Sequence, residues 1–125
     1  MKKITVLLSV FILFAAMSLS TLAASGTNNG TVNGNSYSMN YSCTSTNAYN
    51  SISCATAQNV EARVKPYYKI NGEWHWLCDW YAYYNEPGTI ATVSWNAGTG
   101  RIIGKTMLQG YVNNVFAYGT TINAD

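Results

Sequence analysis

Beyond residue 24, apolar and polar side chains along this chain alternate with a period of two, and no long segment carries the period of a helix. Tyr37, Met39, Tyr41 and Cys43 alternate with Ser38, Asn40 and Ser42, which predicts a first strand. Val60, Ala62 and Val64 alternate with Glu61, Arg63 and Lys65 in a second. Residues 73–84 predict a third, Ala91, Val93 and Trp95 a fourth, 101–112 a fifth and 116–122 a sixth. Turn residues fall between them: Asn71-Gly72, then Glu86-Pro87-Gly88 with Pro and Gly where a type II turn needs them, then 96–100, then Asn113-Asn114. About six short strands joined by short turns predict an all-β fold, a small antiparallel β-sandwich or partly open barrel over residues 37–125. Residues 25–36 carry one aliphatic side chain, Val32, and predict a flexible polar N-terminal arm or the frayed start of a strand.

The first 24 residues follow a different pattern. Lys2 and Lys3 precede an apolar run over 4–19 that only Thr5, Ser9 and Ser18 interrupt, and the small residues Ser20, Thr21, Ala23 and Ala24 close it. This is the layout of a secretory signal peptide cut after Ala23 or Ala24. The run is slightly short for a bilayer span, and no Cys lies near the cut to carry a lipid, so no stable membrane anchor is expected after cleavage. The expectation is a secreted, extracellular protein of one domain, about 100 residues long.

Charge follows from that division. The five cations beyond the leader, Arg63, Lys65, Lys69, Arg101 and Lys105, are matched by five carboxylates, Glu61, Glu73, Asp79, Glu86 and Asp125. A nucleic-acid partner needs a clustered excess of Lys and Arg, and none is visible along the chain. A surface of Asn, Ser, Thr, Gly and Tyr suits contact with neutral ligands such as glycans. Three cysteines remain, Cys43, Cys54 and Cys78. In an oxidising compartment, a Cys43–Cys54 disulfide across the polar segment 44–53 is the first expectation, stabilising by about 2–3 kcal/mol, with one thiol spare. No metal is expected, because the Cys spacings are unpaired and His75 is the only His.

The register at Asn71-Gly72 decides where three Trp side chains go. A two-residue loop places Lys69 opposite Trp74 and Tyr67 opposite Trp76. In a regular strand it also places Lys65 opposite Cys78, Val64 opposite Asp79 and Arg63 opposite Trp80. That arrangement makes a Trp/Lys/Arg platform with cation–π contacts, but it mixes apolar and charged groups on both faces. A three-residue loop, with Gly72 as the left-handed residue of a G1 bulge, places Trp74 opposite Tyr68, Cys78 opposite Val64 and Trp80 opposite Ala62. It also pairs Glu73 with Lys69 and Asp79 with Arg63. Burying Asp79 beside Val64 costs more than cation–π contacts return, so the three-residue loop is the expectation. Most of Trp74, Trp76 and Trp80 then belongs to the core, with Trp74 left partly exposed near the turn.

Catalytic groups are sparse. No thiol shares the face of His75 in this register, Glu73 and Asp79 serve as ion-pair partners, and there is no phosphate cradle or serine-hydrolase elbow. Neither an enzyme nor a cofactor is expected. Recognition by aromatic groups remains: His75, Tyr81, Tyr83 and Asn85 run in line on the charge-bearing face, with Tyr67 across from His75. Flat rings with polar edges stack on sugar faces at small entropic cost. The candidate ligand-binding residues are therefore Tyr67, Trp74, His75, Tyr81 and Tyr83. The leading expectation is a non-catalytic binding module for a cell-envelope glycan or another surface component. In plan (leader, short Tyr- and Gly-rich β-domain, few charges) the chain resembles small secreted β-sandwich bacteriocins of the lactococcin type. That resemblance is one of plan, with no shared motif, and implies a second reading, an antibacterial protein that binds an envelope target. A matrix protein assembling through exposed strand edges is the third.

Overall fold

Three hairpins turn on two residues held in the left-handed region, and they set much of the architecture. Asn33 and Gly34 have φ of 49° and 80°, Asn71 and Gly72 51° and 82°, Asn113 and Asn114 50° and 63°. Positive φ at both central positions defines a type I′ turn, whose twist matches that of the strands it joins. The structure, a computed structural model, describes residues 24–124. The expected signal segment lies outside the described residues except for Ala24.

Over the described residues the protein is all-β and antiparallel, with seven strands where about six were expected. They are β1 (Ala24–Val32), β2 (Asn35–Cys43), β3 (Asn47–Ile70), β4 (Glu73–Trp76), β5 (Tyr81–Asn96), β6 (Lys105–Val112) and β7 (Val115–Asn123). The sheet runs β1-β2-β3-β6-β7, and β4 and β5 also pair with β3. The long β3 organises the fold. Its residues 47–53 lie between β2 and the second half of β5, and its residues 60–67 lie between β6 and the first half of β5 followed by β4. The ladder is irregular between Ser53 and Val60, where β3 passes from one layer to the other. Tyr37 in β2 donates its hydroxyl to the Ala117 carbonyl in β7 at 3.2 Å, and the Tyr41 and Tyr118 rings stack at 6.2 Å. These contacts tie β2 to β7, and β1 also lies against β7, so the sheet is nearly closed.

Two segments differ from expectation for physical reasons. Residues 25–36 are a paired strand and its turn, with Ala24 opposite Cys43 through to Val32 opposite Asn35. Backbone ladders need no apolar side chains, and Gly26 and Gly30 lie under the rings of Tyr41 and Tyr37, where a Cβ would come within 2.6 and 2.8 Å. Glu86-Pro87-Gly88 is a bend inside β5 rather than a turn between strands, because β5 pairs with β3 on both sides of it. The Asn85 amide donates to the Ile90 carbonyl at 2.8 Å and folds across Gly88, bracing the bend.

The core lies between the layers. Met39, Ile52, Ala62, Val64, Ala91, Leu108 and Val112 are fully buried. Asn50 is buried among them, and its amide donates to the carbonyls of Arg63 at 3.2 Å and Gln109 at 2.9 Å, tying one half of β3 to the other and to β6. The expected Cys43–Cys54 disulfide is absent, as is any disulfide among the described residues. Cys43 lies opposite Ala48 and Cys54 opposite Tyr37, at the two ends of the β2–β3 ladder. That separation is roughly 20 Å along the strand, far beyond the span of a disulfide. Residues 44–46 form a tight turn in which Thr44 Oγ1 accepts from Asn47 N at 3.0 Å, so the polar segment continues as β3 instead of looping back.

Candidate binding face

The hairpin of β3 and β4 has the two-residue loop: Ile70 lies opposite Glu73, Lys69 opposite Trp74, Tyr68 opposite His75 and Tyr67 opposite Trp76. The three-residue expectation is therefore corrected. It assumed one regular strand over 73–84, which would have buried Asp79 beside Val64. Instead β4 ends at Trp76, Leu77 N still bonds the Pro66 carbonyl at 2.8 Å, and residues 78–80 bend away. When pairing resumes, Val64 lies opposite Tyr81, and Asp79 is exposed in the bend. Its Oδ1 accepts from Trp80 N at 2.8 Å and lies 3.4 Å from Lys65 Nζ. The Trp80 N–H first, and Lys65 second, hold its carboxyl below the usual carboxylate range. The expected Glu73–Lys69 and Asp79–Arg63 pairs do not form. Arg63 pairs with Glu61, Asp79 with Lys65, and Glu73 lies 4.0 Å from His75.

The faces change accordingly. Side chains directly opposite one another in a sheet share a face. Trp74 and Trp76 therefore join Glu61, Arg63, Lys65, Tyr67 and Lys69 on the outer side of β3, with Lys105 and Met107 of β6 beside them. Trp74 is 39 % and Trp76 59 % exposed, and Trp80 is half-buried, so the Trp side chains do not fill the core as expected. Three lysines interleave with three rings. Lys105 Nζ lies 4.2 Å from the Trp74 ring centre and 5.2 Å from that of Tyr67. Lys69 Nζ is 5.3 Å from Trp74, and Lys65 Nζ is 5.8 Å from Trp76 and 5.9 Å from Tyr67. Each such contact contributes about 0.5–1 kcal/mol at an exposed site. The Tyr67 hydroxyl donates to Met107 Sδ at 3.4 Å, which fixes its ring on the face. Trp74 rests on Gly104, where a Cβ would come within 2.7 Å of the indole. Gly104 N in turn bonds the Tyr67 carbonyl at 2.7 Å.

A cleft of about 760 Å³ opens at the same end of the molecule. Tyr68, Ile70 and Leu77 line one wall, Arg101, Ile102 and Gly104 the other, and Lys69 and Trp76 also border it. Ile103 anchors that second wall: it is buried, and its N–H bonds the Ser45 carbonyl at 2.8 Å.

Of the residues singled out from sequence, Tyr67 and Trp74 come together through Lys105. His75 belongs to the same hairpin but lies on the opposite face, against Tyr68 instead of Tyr67, with ring centres 5.5 Å apart. Tyr81 and Tyr83 lie beyond the bend, opposite Val64 and Ala62, and are half-exposed at the sheet edge. The sequence reading missed Trp76, Lys65, Lys69, Lys105 and Arg101 as members of one site. The signal was the Asn71-Gly72 pair, the strongest short-range mark of a type I′ hairpin. Among the described residues no group of three or more His, Cys, Asp or Glu side chains is placed to hold a metal. Searches against family models, curated proteins and solved structures find no match to this chain.

Proposed function

We propose that the protein is a non-catalytic binding module acting outside the cell on an envelope glycan or another surface component, and that it binds through the outer face of the β3–β4 hairpin. The observation that carries this reading is the exposure of Trp74 and Trp76 beside Tyr67 on one face of a hydrogen-bonded hairpin. Large apolar rings left in water cost solvation free energy, and contiguous ones mark contact surfaces. Rings on a rigid sheet lose little entropy on binding and suit the apolar faces of sugars. The adjacent cleft, bordered by Lys69 and Trp76 of this face and by Tyr68 of the opposite one, offers a concave subsite at its edge.

The test is retention of the purified protein on insoluble peptidoglycan and envelope polysaccharide, compared with Trp76→Ala. Trp76 is 59 % exposed, so its removal should cost no more than about 2 kcal/mol of stability while weakening retention about tenfold or more. Undiminished retention by Trp76→Ala and Trp74→Ala, or no retention of the intact protein, overturns the proposal.

A further inference from the structure

We infer that the ligand of this face is an acidic saccharide, and that Lys69 and Lys105 hold its anionic group. The inference rests on the binding reading above and adds the charge class of the ligand. Of the four cations on the outer face, Arg63 is neutralised by Glu61 and Lys65 by Asp79. Lys69 and Lys105 have no carboxylate within 4.0 Å among the described residues. Both are drawn instead to one indole, at 5.3 and 4.2 Å from its centre. Their ammonium groups are thus at most about 10 Å apart, within the screening length of 0.1 M salt. Two like charges gathered on one ring repel, and an anion placed between them relieves that repulsion, while the more exposed Trp76 beside them offers a ring face for stacking. The cleft adds Arg101 and no acidic side chain to the same end of the molecule. Two of the uncompensated cations thus lie beside the exposed rings, while Glu73, the carboxylate of the same hairpin, faces His75 on its other side.

The pairing of ring and cation matches one ligand chemistry. A uronic acid, a sulfated sugar or a phosphorylated sugar presents an apolar face and an anion on one rigid unit, a few ångströms apart. Single-stranded nucleic acid fits less well, because it needs a basic track along successive phosphates. Here the cations that would extend the track, Arg63 and Lys65, are already paired with carboxylates of the same surface.

The experiment measures binding of the purified protein to oligogalacturonate, dextran sulfate, poly(glycerol phosphate), neutral dextran and an oligo-dT strand, at about 50 mM and about 500 mM NaCl. The acidic saccharides should bind at least about tenfold tighter than neutral dextran, and high salt should remove the difference. The double variant Lys69→Gln/Lys105→Gln should lose the same factor with an unchanged circular dichroism spectrum. Lys65→Gln should lose less, because Asp79 already compensates Lys65. Whichever acidic saccharide binds tightest identifies the anion as carboxylate, sulfate or phosphate. Equal binding of neutral and acidic saccharides, unaffected by the double variant, overturns this inference and leaves the binding reading standing. Tighter binding of oligo-dT than of every acidic saccharide overturns it in favour of a nucleic-acid ligand, and binding of none of these saccharides overturns it too, while retention on peptidoglycan separately decides the binding reading.

Discussion

Gly104 is the floor beneath Trp74, and replacing it with Ala tests the packing of the whole face. The added Cβ would lie 2.7 Å from Cζ3 and 3.1 Å from Cη2 of the indole, closer than carbon atoms approach, so the ring must lift. At ordinary backbone angles Gly→Ala alone stabilises by about 0.4–1 kcal/mol, through the unfolded chain. The sign therefore depends on what the indole loses. Trp74 is 39 % exposed, so somewhat over half of its surface, on the order of 100–150 Å², is covered in the fold. At about 25 cal/mol per Å² that cover contributes about 3 kcal/mol. Lifting the ring from Gly104 forfeits a third to a half of it, and weakening the Lys105 contact costs about 0.5 kcal/mol more. The net expectation for Gly104→Ala is a loss of about 1 kcal/mol.

The double-mutant cycle sharpens this. In a Trp74→Ala background the new Cβ meets nothing closer than the Tyr67 carbonyl oxygen, at an ordinary 3.7 Å. Gly104→Ala should then stabilise by about 0.4–1 kcal/mol, which gives a coupling of about 1.5–2 kcal/mol between the two sites. Urea unfolding followed by far-ultraviolet circular dichroism measures it without relying on Trp fluorescence. Additive effects would show that Trp74 does not rest on Gly104, and the two-residue register of the hairpin would lose its main packing consequence.

Gly72→Ala, at φ of 82°, should cost about 1–2 kcal/mol in the same urea assay, although nothing lies within 4 Å of its Cβ position; an unchanged midpoint would argue against a type I′ turn. At the other side of the fold, burial raises the Tyr37 hydroxyl pKa above 10.0, and a hydrogen bond with Tyr118 followed by burial raises that of Tyr41. The folded state then keeps protons that the unfolded chain releases, so this stability is full below pH 10 and is lost as pH rises through the folded-state values. Thermal melts from pH 9 to 12 should show a steeper alkaline decline for the intact protein than for Tyr37→Phe, and parallel curves would refute the assignment.

The fold class was legible because its signal is repeated: alternation along 60–65 and 105–112 appears in the structure as side chains alternating between core and outer face. What stayed hidden depended on irregularities that alternation does not encode. β1 holds its place by backbone pairing and by two glycines beneath tyrosine rings, so a reading that looks for apolar side chains finds an arm there. The register at Asn71-Gly72 was weighed as a contest between burying Asp79 and gaining cation–π contacts. That contest is real only if the strand runs straight through 77–80. The chain escapes it with a bend, in which Asp79 accepts from the Trp80 N–H and faces Lys65 in solvent. Once the bend releases Asp79, the penalty that opposed the type I′ register is gone, and the turn residues prevail. The same bend also keeps Lys65 neutralised while leaving Lys69 and Lys105 without a carboxylate beside Trp74. The irregularity that concealed this face from the sequence is thus the element that partitions its charge, and it makes the hairpin tip, rather than the tyrosines beyond the bend, the face on which the proposed binding is to be tested.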